Sequence, residues 1–263
     1  MRKYFPIVRG TYMIGLVYRF GFLFTILGNI VYLGVAYYLW KSIYRYSDSI
    51  RGLTFDETFL YVGLGSAIFI LLKTYADWII HYEIREGMIA VYLTKPIDFQ
   101  LYALAANFGS LLMGLTAVSI PTALILGFVF KVKVALGAGL VLFPFGLLLA
   151  FLISFSIDYF VGVMAFYSES VWGLSITKEI IVTVFSGALI PLQFFPDAIQ
   201  KVLLWLPFQA MYHTPIMMIT KADQGLDVFL PMLLVQLLWA VTLFMLARLF
   251  YNQAIKVLRI AGG

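Results

Sequence analysis

The chain has 263 residues, 63% of them hydrophobic and only 12% charged, with a mean hydropathy of +0.97. Soluble domains carry about 25% charge, so this composition excludes a soluble enzyme and a free nucleic-acid-binding module. The net charge of +5 suits the anionic inner leaflet of a bilayer, and the absence of cysteine excludes disulfides, thiolate metal sites and cysteine nucleophiles.

What remains is an all-α polytopic membrane protein in a single transmembrane domain. Residues 1–19 mix four basic residues with Tyr4, Phe5, Ile7, Val8, Tyr12, Ile14 and Leu16, which predicts a helix lying in the inner membrane interface. The apolar run behind it is too long for the core of a cleavable signal. Crossing the hydrocarbon takes about 20 apolar residues, and the first span falls at 20–40, with Tyr37, Tyr38 and Trp40 anchoring one end. Asp56 and Glu57 read as first-turn acids ahead of the second span at 58–80. That span is interrupted only by Lys73 and Asp77, and Trp78 is an anchor near its end. Segment 81–97 is charged at first, then carries an apolar stripe at Ile89, Tyr92 and Leu93, and is stopped by Pro96. Such a pattern predicts a short amphipathic helix parallel to the membrane.

The third and fourth spans fall at 99–130 and 134–157. Beyond the fifth, at 176–190, the apolar run is cut by Pro191, Pro196, Pro207 and Pro215. Two full crossings here would leave broken backbone in lipid, where unpaired polar groups are costly. A re-entrant helical hairpin over 187–215 avoids that cost, and a last span at 228–250 brings the expected total to six. An even count puts both termini on one side. The inner segments then carry ten Lys and Arg residues against seven outside, so both termini are expected in the cytoplasm.

Catalytic and metal-binding constellations are absent from the pattern. No G-x-x-x-x-G-K-[ST] loop is present to cradle a nucleotide phosphate. His81 and His213 are far apart in sequence and are expected at the interface, each with a solvated face. Lys73 and Asp77 are four apart, so on a helix they share a face and can pair. They are either a structural pair at the inner end of the second span or the titrating site of an ion-coupled secondary transporter. Asp158 is expected at the inner boundary. Asn29, near the middle of the first span with Thr25 and Tyr32 close by, needs a hydrogen-bonding partner, whether from helix packing or from a substrate route.

Two segments carry a family resemblance. Glu86-Gly87 followed by Leu93-Thr94-Lys95-Pro96-Ile97 resembles the coupling segment of the type-two, exporter-type permeases of ATP-binding-cassette transporters, with Met88 where Thr is commoner. Ser186-Gly187 leading to Pro191-Leu192, then Phe195-Pro196 and Leu206-Pro207-Phe208, resembles that family's outer re-entrant hairpin. The resemblance implies a bacterial inner-membrane assembly of two permease halves and two ATPase subunits, with ATP and Mg bound on the ATPases and no cofactor on this chain. It implies that Glu83, Arg85, Glu86, Gly87, Ile89, Leu93 and Pro96 couple to the ATPase. Gly187, Pro191, Pro196 and Pro207 would shape the hairpin. The translocation route would run beside the first, second and fifth spans, with Thr25, Asn29, Tyr32 and Ser186 as candidate lining residues.

Overall fold

The computed structural model describes residues 3–17, 19–131 and 134–257. Helix α1 (Phe5–Val17) leads into α2 (Arg19–Ile43), and a two-residue hairpin, β1 (Ser49–Ile50) with β2 (Leu53–Thr54), follows at the far end. The second span comes in two pieces, α3 (Phe55–Leu72) and α4 (Ala76–Arg85), and α5 (Met88–Leu93) is the short helix after it. Next come α6 (Phe99–Gly114), a π-helical turn (Leu115–Ser119), α7 (Ile120–Phe128) and α8 (Ala138–Val163). Then α9 (Trp172–Phe185) is followed by short pieces α10 (Asp197–Leu203), α11 (Pro207–Met211) and α12 (His213–Thr220), and α13 (Leu226–Ala254) is last. The expectations that rest on Met1, Arg2, Tyr18, Lys133 and residues 258–263 lie outside the described residues.

Among the described residues, five helical stretches are long and apolar enough to cross a membrane, at Phe20–Tyr46, Phe55–Arg85, Phe99–Phe128, Ala138–Phe166 and Leu226–Val257. The all-α polytopic class therefore holds, whereas six crossings were expected. The expected fifth span at 176–190 is instead the 14-residue α9, which ends at Phe185. Boundaries shift elsewhere too. The fourth helix begins at Ala138 and runs to Val163 rather than covering 134–157, and the helix before it ends at Phe128, ahead of Lys131 with its positive φ. Segment 81–97 is not all loop: its first residues complete α4, which runs to Arg85.

Local chemistry explains most of these ends. Thr54 caps α3 by accepting from the Glu57 backbone, while the Glu57 carboxylate accepts from the Thr54 N–H at 2.9 Å, a reciprocal capping box. Asp56 and Glu57 are thus the first-turn acids expected. Asp98 caps α6 by accepting from Leu101 N–H at 2.9 Å. Within the third span Pro121 has no N–H and crowds the preceding turn. The π turn just before it, where Ile120 N–H reaches Leu115 O, absorbs that conflict and keeps α6 and α7 on one course.

The core sits where α3, α4 and α8 meet α12 and α13. Phe151, Ile153, Phe155 and Tyr159 of α8 are fully buried against Ile80 of α4 and Phe229 of α13. Gln236 ties the layers polar-to-polar, donating to Gly146 O at 2.8 Å and Ala210 O at 2.7 Å. Helix α1 lies on α6 with backbone nearly touching: a Cβ on Gly109 would stand 2.5 Å from Val8 O, so only glycine fits there.

Candidate functional site

The segment after the second span is built on a left-handed glycine. Helix α4 ends at Arg85, Glu86 caps it, and Gly87 at φ +72 reverses the chain into α5. Ile89 is buried against the core, as the stripe predicts. Tyr92 packs on Tyr102 and Phe99, with ring centroids 4.4 and 5.5 Å apart. Its hydroxyl donates to the Glu83 carboxylate at 2.9 Å and stands 2.7 Å from the Tyr102 hydroxyl. Burial, then the bond to Tyr102 and the charge on Glu83, raise the Tyr92 phenol well above its ordinary value, so it remains a hydrogen-bond donor.

Leu93 departs from the expected stripe. It is 50% exposed, as Met88 is at 45% and Val91 at 44%, so apolar side chains stand out on more than one side of α5. A six-residue helix cannot bury two sides, and its inner side is taken by Ile89 and Tyr92. The result is an apolar knob flanked by exposed Arg85, Glu86 and Lys95.

Behind the knob the chain is fastened to three helices at once. Lys3 donates to Pro96 O at 2.6 Å, and the Asp98 N–H donates to the Tyr4 hydroxyl at 3.1 Å. The Asp98 carboxylate caps α6 and forms an ion pair with Arg248 of α13. Burial pushes the Asp98 carboxyl up, but the Arg248 guanidinium and the Leu101 N–H outweigh it and hold the group below the usual carboxylate range. The sequence reading singled out neither Asp98 nor Arg248 for this role. The only signal was an Asp two residues past a Pro that ends a helix, which is a capping position.

The expected Lys73–Asp77 pair is not formed. The helix breaks between them: Lys73 has ψ +76 and Tyr75 is left-handed at φ +55, so the two charges no longer share a face. Lys73 pairs instead with Glu179 at 2.5 Å, and Asp77 with Lys178 at 2.8 Å. Lys178 also holds Asp158 at 2.6 Å, so Asp158 is a buried ion-pair partner. These five charges line a cleft of about 60 Å³ together with Phe69, Tyr75 and Trp78. Lys178 and Glu179 went unnoticed as a site, although two charges inside an apolar run are themselves the signal.

Of the candidate route residues, Asn29 and Tyr32 line a cavity of about 290 Å³ between α2, α3 and the end of α9, shared with Gly65, Ser66 and Thr183. Asn29 also donates to Thr122 at 3.0 Å, so it serves helix packing as well. Thr25 lines a separate cavity of about 450 Å³ with Gly15, Ser110 and Met113. Ser186 belongs to neither: it is fully buried and accepts from Ala188 N–H at 3.2 Å, stabilising the turn at Gly187.

Gly187 turns the chain at φ +80, and Pro191, Pro196 and Pro207 each open the next short helical piece. His213 begins α12 and corrects the expectation of a solvated face. It is buried, with Nδ1 at 2.9 Å from the Tyr61 hydroxyl. Arg51 and Asp197 pair at 2.8 Å, and Lys221 pairs with Glu57, tying this region to the start of α3. Among the described residues no group of His, Asp and Glu has the arrangement of a metal site.

The profile of the family described as "ABC-2 family transporter protein" matches residues 30–262, from within α2 almost to the last residue. No curated protein matches the chain. The matched stretch contains both the segment around α5 and the proline-broken pieces on which the resemblance was read. The chain belongs to the ABC-2 family of transporter proteins, and it is a multi-pass membrane permease of an ATP-binding-cassette transporter.

Proposed function

We propose that the chain is the membrane half of a bacterial ATP-driven exporter, paired with a second permease chain and with two ATPase subunits in the cytoplasm. The observation that carries this reading is the exposed knob of Met88, Val91 and Leu93 on a segment fastened through Asp98 to α1, α6 and α13. A docking helix that moved freely would transmit nothing. One bolted to three helices carries a push from the ATPase into the spans. ATP and Mg belong to the ATPase subunits in this reading, and the permease supplies the route, with Asn29 and Tyr32 facing it.

In the same reading α9 and the broken pieces α10 to α12 form the fifth crossing and the outer re-entrant hairpin, and both termini lie in the cytoplasm. The topology is open to a direct check. Single-cysteine labels at positions 49 and 224 are expected to react with a membrane-impermeant reagent in intact cells, while labels at positions 3 and 260 react only after permeabilisation. A C-terminal label that reacts in intact cells would remove the six-crossing arrangement.

A further inference from the structure

The two halves of the second span are gripped by consecutive residues of one neighbouring helix. Glu179 of α9 holds Lys73 just before the break, and Lys178 holds Asp77 just after it. The polarity of the two pairs is opposite, so each side of the break has its own partner. The break itself contains neither proline nor glycine. Tyr75 takes a left-handed conformation that costs a bulky residue free energy, although the residue is 55% exposed. The ion pairs to α9 hold the chain there, together with the Lys73 ammonium 5.4 Å from the Tyr75 ring centroid and the Ser154 hydroxyl donating to Leu72 O.

The spacing of the same charges also fits an unbroken helix. There Lys73 and Asp77 would stand one turn apart on one face, within pairing reach. Lys178 would keep Asp158, its second partner at 2.6 Å. Glu179 would be released, with 39% of its side chain already exposed. One set of five charges therefore satisfies two backbone conformations.

We infer that the second span is a two-state element that exchanges ion pairs between a broken form, held by Lys178 and Glu179, and a continuous form, held by Lys73 with Asp77. The exchange re-aims α4 and α5 relative to α3, and Lys178 and Glu179 act as positioning residues. Its role in transport rests on the coupling reading above; the exchange itself needs neither ATPase nor substrate.

The chain has no cysteine, so two introduced ones take spin labels cleanly. Labels at Asp48→Cys and Val91→Cys, both exposed, report the end-to-end length of α3 and α4 by double electron–electron resonance on purified permease in nanodiscs. Glu179→Lys turns an attraction for Lys73 into a repulsion and is expected to shift the population tenfold or more, by an order-of-magnitude estimate, toward the longer distance of the continuous form. Glu179→Gln is expected to shift it the same way by about threefold, as suits a partly exposed pair. Tyr75→Gly removes the left-handed cost and is expected to shift it roughly tenfold toward the shorter distance. One unshifted distance in the wild type, Glu179→Lys and Tyr75→Gly would overturn the inference. Opposite shifts in a permease whose ATPase does not dock on 83–96 would keep the two-state span and remove the coupling reading. Docking with unshifted distances would do the reverse.

Discussion

Replacing Lys178 with methionine is expected to destabilise the folded permease by about 3–5 kcal/mol, the cost of removing one partner from a buried ion pair. The effect is large because one ammonium serves two carboxylates. The Asp77 and Asp158 side chains are only 3% and 11% exposed, so without Lys178 both lose their partner in the broken form and Asp158 has none in the continuous form either. Asp77→Asn alone is expected to cost less, since Lys178 keeps Asp158 and an asparagine can still accept from the Trp78 N–H, now 3.0 Å from the Asp77 carboxylate. Adding Asp77→Asn and Asp158→Asn to Lys178→Met leaves no unpaired charge and should recover much of the loss. The thermal unfolding midpoint of the detergent-purified protein reads all three variants against the wild type. Equal midpoints for Lys178→Met and the wild type would mean that water already screens the cluster. The energy source is read on the wild type in sealed vesicles: transport that needs ATP and no ion gradient follows from ATPase subunits, and transport that needs an ion gradient and no ATP would mean that Asp77 serves an ion-coupled cycle.

Glu86→Arg and Gly87→Val are expected to separate ATP hydrolysis from transport without preventing membrane insertion. Glu86 is exposed, so reversing its charge leaves the fold alone and acts on the partner. If its contact with the ATPase is desolvated, docking weakens by about 2–5 kcal/mol. Gly87 acts through geometry. Valine at φ +72 carries about 1–3 kcal/mol of backbone strain, and relief of that strain turns α5 away from the direction set by Ile89 and Tyr92. Co-purification of ATPase with a tagged permease, together with transport per ATP hydrolysed, measures both variants. Undiminished docking and coupling in the two would leave the segment as an interface anchor only.

How much of this was legible in the sequence depends on what marks each feature. Proline and glycine announce their own consequences. Pro96 after α5, Gly87 before it, and the prolines that chop residues 191–215 all stand where a chain must end or turn. The first-turn acids of α3 were legible for the same reason, since a capping residue followed by Glu three positions later is a local signal. Long-range choices were not legible. The spacing of Lys73 and Asp77 is a sound reason to expect a pair on an intact helix, but α9 offers each of them a better partner and the helix gives way between Lys73 and Tyr75. Nothing local marks that break. His213 reads as an interface residue until Tyr61, far away in sequence, is seen to bury and bond it. Leu93 continues an apolar stripe on paper, yet a helix of six residues has room beneath it for Ile89 and Tyr92 and leaves Leu93 outside.

The central claim is that a separate ATPase engages this permease through α5. It is tested most directly by a photo-crosslinking residue at Val91, on the exposed knob, compared with one at Tyr38, exposed near the far end of α2. In native membranes, illumination at position 91 should capture a protein that carries the G-x-x-x-x-G-K-[ST] loop and hydrolyses ATP, and illumination at position 38 should capture none. A complex that retains ATPase activity, yet yields its ATPase from position 38 or from neither position, would contradict the account.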